Sequence, residues 1–156
     1  MNLRLATLGL LIAVNPWGAG GETAPAAKKS VPSLRKLFVE PSSSSLAGGT
    51  ARLVLPALTR QPGTYVGDYQ LKVTPYFFKS EKGKIVMIVS DQSLLKITQS
   101  VPVEFTGKAI TAGTNKTRPI TVKATPSASD RGALVITVKT ENGPLVFATS
   151  YRFSDN

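Results

Sequence analysis

The chain contains neither cysteine nor histidine. Serine–histidine–aspartate and cysteine–histidine catalysis, zinc sites built on those side chains, disulfides and thiol redox chemistry are therefore excluded together. Lipid attachment at an N-terminal cysteine goes with them. Acidic residues are also scarce, nine among 156. A glycosidase needs two carboxylates roughly 5–10 Å apart. Asp68 and Glu104 are the best-placed pair, because both fall in strand-like segments. Both also fall on the polar side of the alternation, where solvated carboxylates beside lysines are the plainer reading. A calcium loop of the Asp-x-Asp-x-Asp-Gly type, a Gly-x-Ser-x-Gly elbow and a glycine-rich phosphate loop before a helix are all missing. Gly48-Gly49-Thr50 leads into a strand pattern, and Asp130-Arg131-Gly132 reads as turn chemistry. Tyr, Lys and Ser can serve as acid, base or nucleophile, but no motif gathers them. No catalytic residue, metal ligand or cofactor is assigned, and the chain is read as a non-enzyme.

The one tryptophan, Trp17, belongs to a distinctive leader. Met1-Asn2-Leu3-Arg4 is a short basic start. Leu5–Val14 is apolar apart from Thr7 and Gly9, and Gly18-Ala19-Gly20-Gly21 is a small-residue exit. These are the parts of a secretory signal peptide, and the run is too short to span a bilayer, which takes about 20 apolar residues. Residues 1–21 are expected to be removed on export, with exits after Gly20, Gly21 or Ala26 all open. The expected destination is the periplasm or the exterior of a bacterial cell. Residues 22–49 read as a flexible tether and loop, with room for a short strand at Leu34–Val39; Pro41, Ser42–Ser45 and Gly48-Gly49 read as loop. Asn115-Lys116-Thr117 matches a glycosylation sequon, which matters only in a eukaryotic source.

Residues 50–156 read as an antiparallel β domain. Tyr65, Tyr69, Leu71 and Val73 alternate with Asp68, Gln70 and Lys72. Val101, Val103, Phe105 and Ala109 alternate with Glu104, Thr106 and Lys108, and Ile120, Val122 and Ala124 with Thr121 and Lys123. Such alternation puts one face in a core and the other in water. Ile85–Val89 is apolar on both faces and is expected to be covered. Asn142-Gly143 signals a two-residue hairpin, which would set Val138 opposite Phe147 and Ile136 opposite Thr149. A second tip at Ser80–Lys84 would set Phe77 opposite Met87 and Phe78 opposite Val86. Ser90 or Asp91 can cap a short helix through Ile97, although an irregular strand fits the same residues. The expected fold is all-β: seven to eight antiparallel strands in a sandwich or a small meander barrel, with one short helix.

Charge is the unusual feature. Lys plus Arg number 19, giving a formal net charge of +10. Lys72, Lys108, Lys123, Lys139 and Arg152 all fall on polar strand faces. On one side of a sheet they would make a basic stripe for an anionic polysaccharide, a lipid headgroup or an envelope protein; nucleic acid is not expected as a partner. A solvated face that keeps the protein soluble is the bland alternative. Tyr65, Tyr69, Phe77, Phe105, Phe147 and Tyr151 mostly fall inward, where they line a cavity or fill a core. Tyr76 and Phe78, on the other face beside Pro75, are the candidates for an exposed aromatic patch. The leading expectation is thus an exported, envelope-associated binding module with peripheral membrane contact. A small barrel carrying an apolar ligand, or a structural partner in an envelope complex, is the alternative. Oligomeric state is left open.

Overall fold

A computed structural model describes residues 34–155. The expected signal peptide and the tether up to residue 33 lie outside the described residues. The eight strands are β1 (Lys36–Leu46), β2 (Gly49–Gln61), β3 (Thr64–Thr74), β4 (Glu81–Ile88), β5 (Val103–Thr111), β6 (Thr117–Pro126), β7 (Arg131–Thr140) and β8 (Gly143–Ser154). Each pairs antiparallel with its predecessor, and β8 returns to β1, so the meander closes into a barrel rather than a sandwich. One helix, α1 (Asp91–Thr98), joins β4 to β5. Its cap is Ser90, whose Oγ accepts from the Ser93 N–H at 3.1 Å, satisfying a donor that the first helical turn leaves free.

The alternation holds over most of its length. Tyr65, Tyr69, Leu71 and Val73 point inward, as do Val103, Phe105, Ala109, Ile120, Val122 and Ala124. With Leu134, Ile136, Phe147, Tyr151 and others they form one continuous core. An eight-stranded barrel is about as wide as its own inward side chains need. The void bounded by Leu53, Tyr69, Leu71, Glu81 and Ile85 is only about 10 Å³, room for one water at most.

Four expectations are corrected. First, Pro41–Leu46 is strand, not loop. Ser42–Ser45 pair with Leu53, Arg52, Ala51 and Thr50 of β2. On their other side the β1–β8 ladder stops at the Val39–Tyr151 pair, and side chains bridge the rest: the Val146 N–H donates to Ser44 Oγ at 3.3 Å and Thr149 Oγ1 donates to the Glu40 carbonyl at 2.6 Å. Short hydroxyl side chains suit a seam where backbone pairing lapses, because they replace its missing partners. Second, the last hairpin is slipped by two residues: Thr140 pairs with Gly143 and Val138 with Leu145. Glu141 and Asn142 keep negative φ, while Gly143 takes φ +108°. The turn is therefore not the mirror-image type, and glycine accommodates the residue after it. Third, β3 ends at Thr74 and β4 begins opposite Leu71. Pro75 has no N–H to continue the ladder, and residues 75–80 form a loop with a 3-10 turn at Phe77–Lys79. Fourth, Ile88 is 59% exposed, since nothing layers over the outside of a closed barrel, and Val101 is exposed because it lies in the link from α1 to β5 and not in a strand.

Both mouths are shut. At one, Leu94 and Ile97 of α1 are buried against the core, and Arg60 ties the helix start down, donating to the Val89 carbonyl at 2.6 Å and to Asp91 at 2.7 Å. Beside it the Tyr65 hydroxyl donates to the Leu34 carbonyl at 2.5 Å. At the other, Glu81 accepts two bonds from Arg118, each 2.9 Å. The Tyr69 hydroxyl lies 3.3 Å from Glu81 and 3.1 Å from Thr111 Oγ1.

Candidate functional site

With the interior filled, the outer face carries the chemistry. Lys72, Lys108, Lys123, Lys139 and Arg152 are all exposed and outward, on β3, β5, β6, β7 and β8. The register nevertheless separates them. Lys72 stands opposite Arg52, Lys108 opposite Val86 and Pro119, and Lys123 opposite Glu104 and Val135. Lys139 stands opposite Pro144, and Arg152 opposite Phe38 and Arg131. No two of the five are register partners. Closure wraps the outer face around the axis, so a shared face is no longer a shared side.

The register gathers a different basic group. Arg52 and Lys72 are partners on β2 and β3, and Lys82 of β4 stands opposite Gln70, two residues along the same face. None of the three forms an ion pair among the described residues, whereas the acids at that end are occupied. Lys84 holds Asp68 at 2.6 Å, Arg118 holds Glu81, and Lys116 holds Glu141. The Lys116 ammonium, bonded to Glu141, keeps that carboxyl below its ordinary range. Arg52 was readable as an outward residue between inward Ala51 and Leu53; Lys82 was hidden by the hairpin register expected for its segment.

Beside this group the barrel wall carries an open groove of about 450 Å³. Pro56, exposed where the β2–β3 register shifts between Val54 and Thr59, forms one bank, and Ala112 and Asn115 the other. Gln70, Lys82, Lys84 and Ile110 lie between them. That size falls within the range of small-molecule sites. Its lining is mostly apolar surface, among which stand the Lys82 and Lys84 ammonium groups, the Asp68 carboxylate held by Lys84, and amide and hydroxyl groups, a set suited to an amphipathic group with an anionic, oxygen-rich end.

Next to the groove, the β3–β4 loop places Tyr76, Phe77 and Phe78 in a row. Tyr76 leans across the β1–β2 turn with its hydroxyl over Gly48. Phe77 and Phe78 are 71% and 82% exposed, so Phe77, read from sequence as inward, is corrected to outward. The rings of Tyr76 and Phe78 meet edge to face at 6.1 Å, and the Lys79 ammonium sits 5.2 Å over Tyr76. The loop is internally bonded: the Lys79 N–H donates to Tyr76, the Ser80 N–H to Phe77, and the Val73 N–H to Ser80 Oγ, all at 2.9–3.0 Å.

Among the described residues the carboxylate pair expected from the sequence is not brought together. Asp68 pairs with Lys84, whose β5 neighbour is Ile110. Glu104 is six residues away on β5, roughly 20 Å along the strand. Among the described residues no three carboxylates group as a metal site. Burial pushes the Tyr65 and Tyr151 hydroxyls up to about 12 and raises that of Tyr69, which removes them as bases near neutrality. At the opposite end a groove of about 280 Å³ includes Arg131 and Arg152, but Arg131 is bonded to Asp130 and Arg152 is stacked on Phe38 at 5.3 Å. The chain matches no protein-family model, no curated protein and no solved structure.

Proposed function

We propose that this chain is a non-enzymatic, exported, envelope-associated binding module whose barrel exterior takes an anionic or amphipathic ligand. The observation that carries the reading is the trio Arg52, Lys72 and Lys82. These cations stand together beside a groove, without carboxylate partners among the described residues, at an end whose acids are already paired. The filled interior favours an exterior site over carriage of an apolar ligand inside the barrel.

The test separates position from net charge. The full chain is loaded on immobilised dextran sulfate and eluted with salt, which screens such contacts. Replacing Arg52, Lys72 and Lys82 by serine is compared with replacing Lys108, Lys123 and Lys139 by serine, which removes the same charge. Earlier elution of the first variant supports the site; equal elution of the two reduces the interaction to overall charge and overturns it.

A further inference from the structure

We propose that the Tyr76–Lys79 turn is a membrane-docking element: Phe77 and Phe78 enter the interfacial layer of an anionic bilayer while Arg52, Lys72, Lys79 and Lys82 face its phosphates. The inference rests on the exterior-site reading above and names its ligand.

Contiguous exposed apolar surface on a soluble domain marks an interaction site more often than an isolated exposed side chain does. Here two adjacent phenylalanines stand out by 71% and 82% on a turn that buries none of its own residues. The two rings stand out into solvent and line none of the described grooves, and a fluid interface accepts them without a matching cavity. The turn's backbone is already bonded, so insertion requires little further ordering. Tyr76, only 37% exposed, has the amphipathic ring that collects at headgroup level.

Charge complementarity selects the kind of surface. Lys79 lies in the turn itself, Lys72 and Lys82 lie on the two strands it joins, and Arg52 is the β2 partner of Lys72. Asp68, Glu81 and Glu141 at that end are each bonded to a cation. Each basic residue near an anionic leaflet adds about as much attraction as a modest apolar contact, so rings and cations act together. Of these cations Lys82 also lines the groove between Pro56 and Asn115, together with Lys84, which places two ammonium groups at a site for a headgroup.

The experiment exploits the absence of cysteine. Full-length Phe78→Cys carries an environment-sensitive fluorophore at one site. Ser129→Cys, exposed in the loop between β6 and β7 at the far end of the barrel, is the control and also detects attachment through any other segment. Each is mixed with phosphatidylglycerol–phosphatidylethanolamine vesicles and with phosphatidylcholine vesicles. The expected result is a blue shift at position 78 alone, on the anionic vesicles alone. F77S/F78S should weaken sedimentation with those vesicles by about tenfold per ring while leaving dextran sulfate retention unchanged. A vesicle-bound chain whose label at 78 stays in water overturns insertion while the exterior site stands. Dextran sulfate retention with no vesicle binding also overturns insertion, in favour of a polysaccharide or protein ligand. Loss of both kinds of binding removes the underlying reading as well.

Discussion

Replacing Arg118 by methionine tests whether the mouth closed by Glu81 is dry. The two side chains are only 17% and 12% exposed, and their bond is a two-point fork with both distances at 2.9 Å. Breaking a buried pair on one side strands the other charge, at about 3–5 kcal/mol. The mouth position restores some solvent to Glu81, so about 2–4 kcal/mol is expected. For a barrel of this size that corresponds to a fall in Tm of roughly 7–15 °C. Replacing both residues, as Glu81→Leu with Arg118→Met, leaves no stranded charge, and Tyr69 keeps Thr111 as its partner. Apolar substitutes for a whole buried pair are often neutral, so the double variant should lie within about 1 kcal/mol of the parent. The assay is urea unfolding, with the midpoint compared at unchanged slope. Equal losses in the single and double variants would refute the reasoning, because they would show the loss to come from packing rather than from an uncompensated charge.

Tyr151 has a buried hydroxyl without a hydrogen-bond partner among the described residues, so Tyr151→Phe should hold or raise the urea midpoint; a loss above about 1 kcal/mol would reveal a partner. Tyr65 and Tyr151 ionise near 12 in the fold against an ordinary value of 10.0. Their contribution is therefore complete below pH 10 and is lost as the pH rises from 10 to 12, because the unfolded chain ionises first; a urea midpoint that stays flat over that window would contradict their burial. A β-carbon on Gly83 would collide with the Ile110 carbonyl. Gly83→Ala should therefore lower stability by about 2 kcal/mol or more, and a variant as stable as the parent would show that β4 and β5 can separate there.

Local signals were legible and long-range ones were not. Ser90 as a cap needs only the residues that follow it, and the inward sets of β3, β5 and β6 need only period-two alternation. Hairpin register needs more. A slip of two residues returns every side chain to its own face, so the pattern around Asn142-Gly143 satisfied the expected register and the observed one equally well. The serine strand was invisible for a different reason. Ser42–Ser45 has no apolar face to announce it, and it is a strand because β2 pairs with one side and β8 presses on the other, the latter a contact across about 100 residues of chain. The candidate site shows the same division. Outward placement of the five basic residues followed from alternation, while their neighbours depended on hairpin register, which set Arg52 opposite Lys72 and made no two of Lys108, Lys123 and Lys139 partners.

Orientation of the barrel narrows what it can do. A membrane-spanning barrel faces apolar side chains outward and polar ones inward; here Ile85, Val122, Ile136 and Phe147 face in, and Lys72, Lys108 and Lys123 face out. The interior has no room for a guest and both mouths are plugged, which is why the proposed ligand contact is placed on the exterior. Most exposed apolar residues there have a reason within the fold: Ile88 and Val146 belong to strands, where β-branched side chains suit the pleat, and Val101 sits where the chain leaves α1 for β5. Phe77 and Phe78 have no such reason. They lie in no strand, they are buried in no core, and the turn that carries them is held by backbone bonds and by Ser80. Polar residues at both positions would leave the barrel as stable and make it more soluble. A pair of rings that folding does not require, set beside cations that no carboxylate neutralises among the described residues, is what the proposed membrane docking would account for.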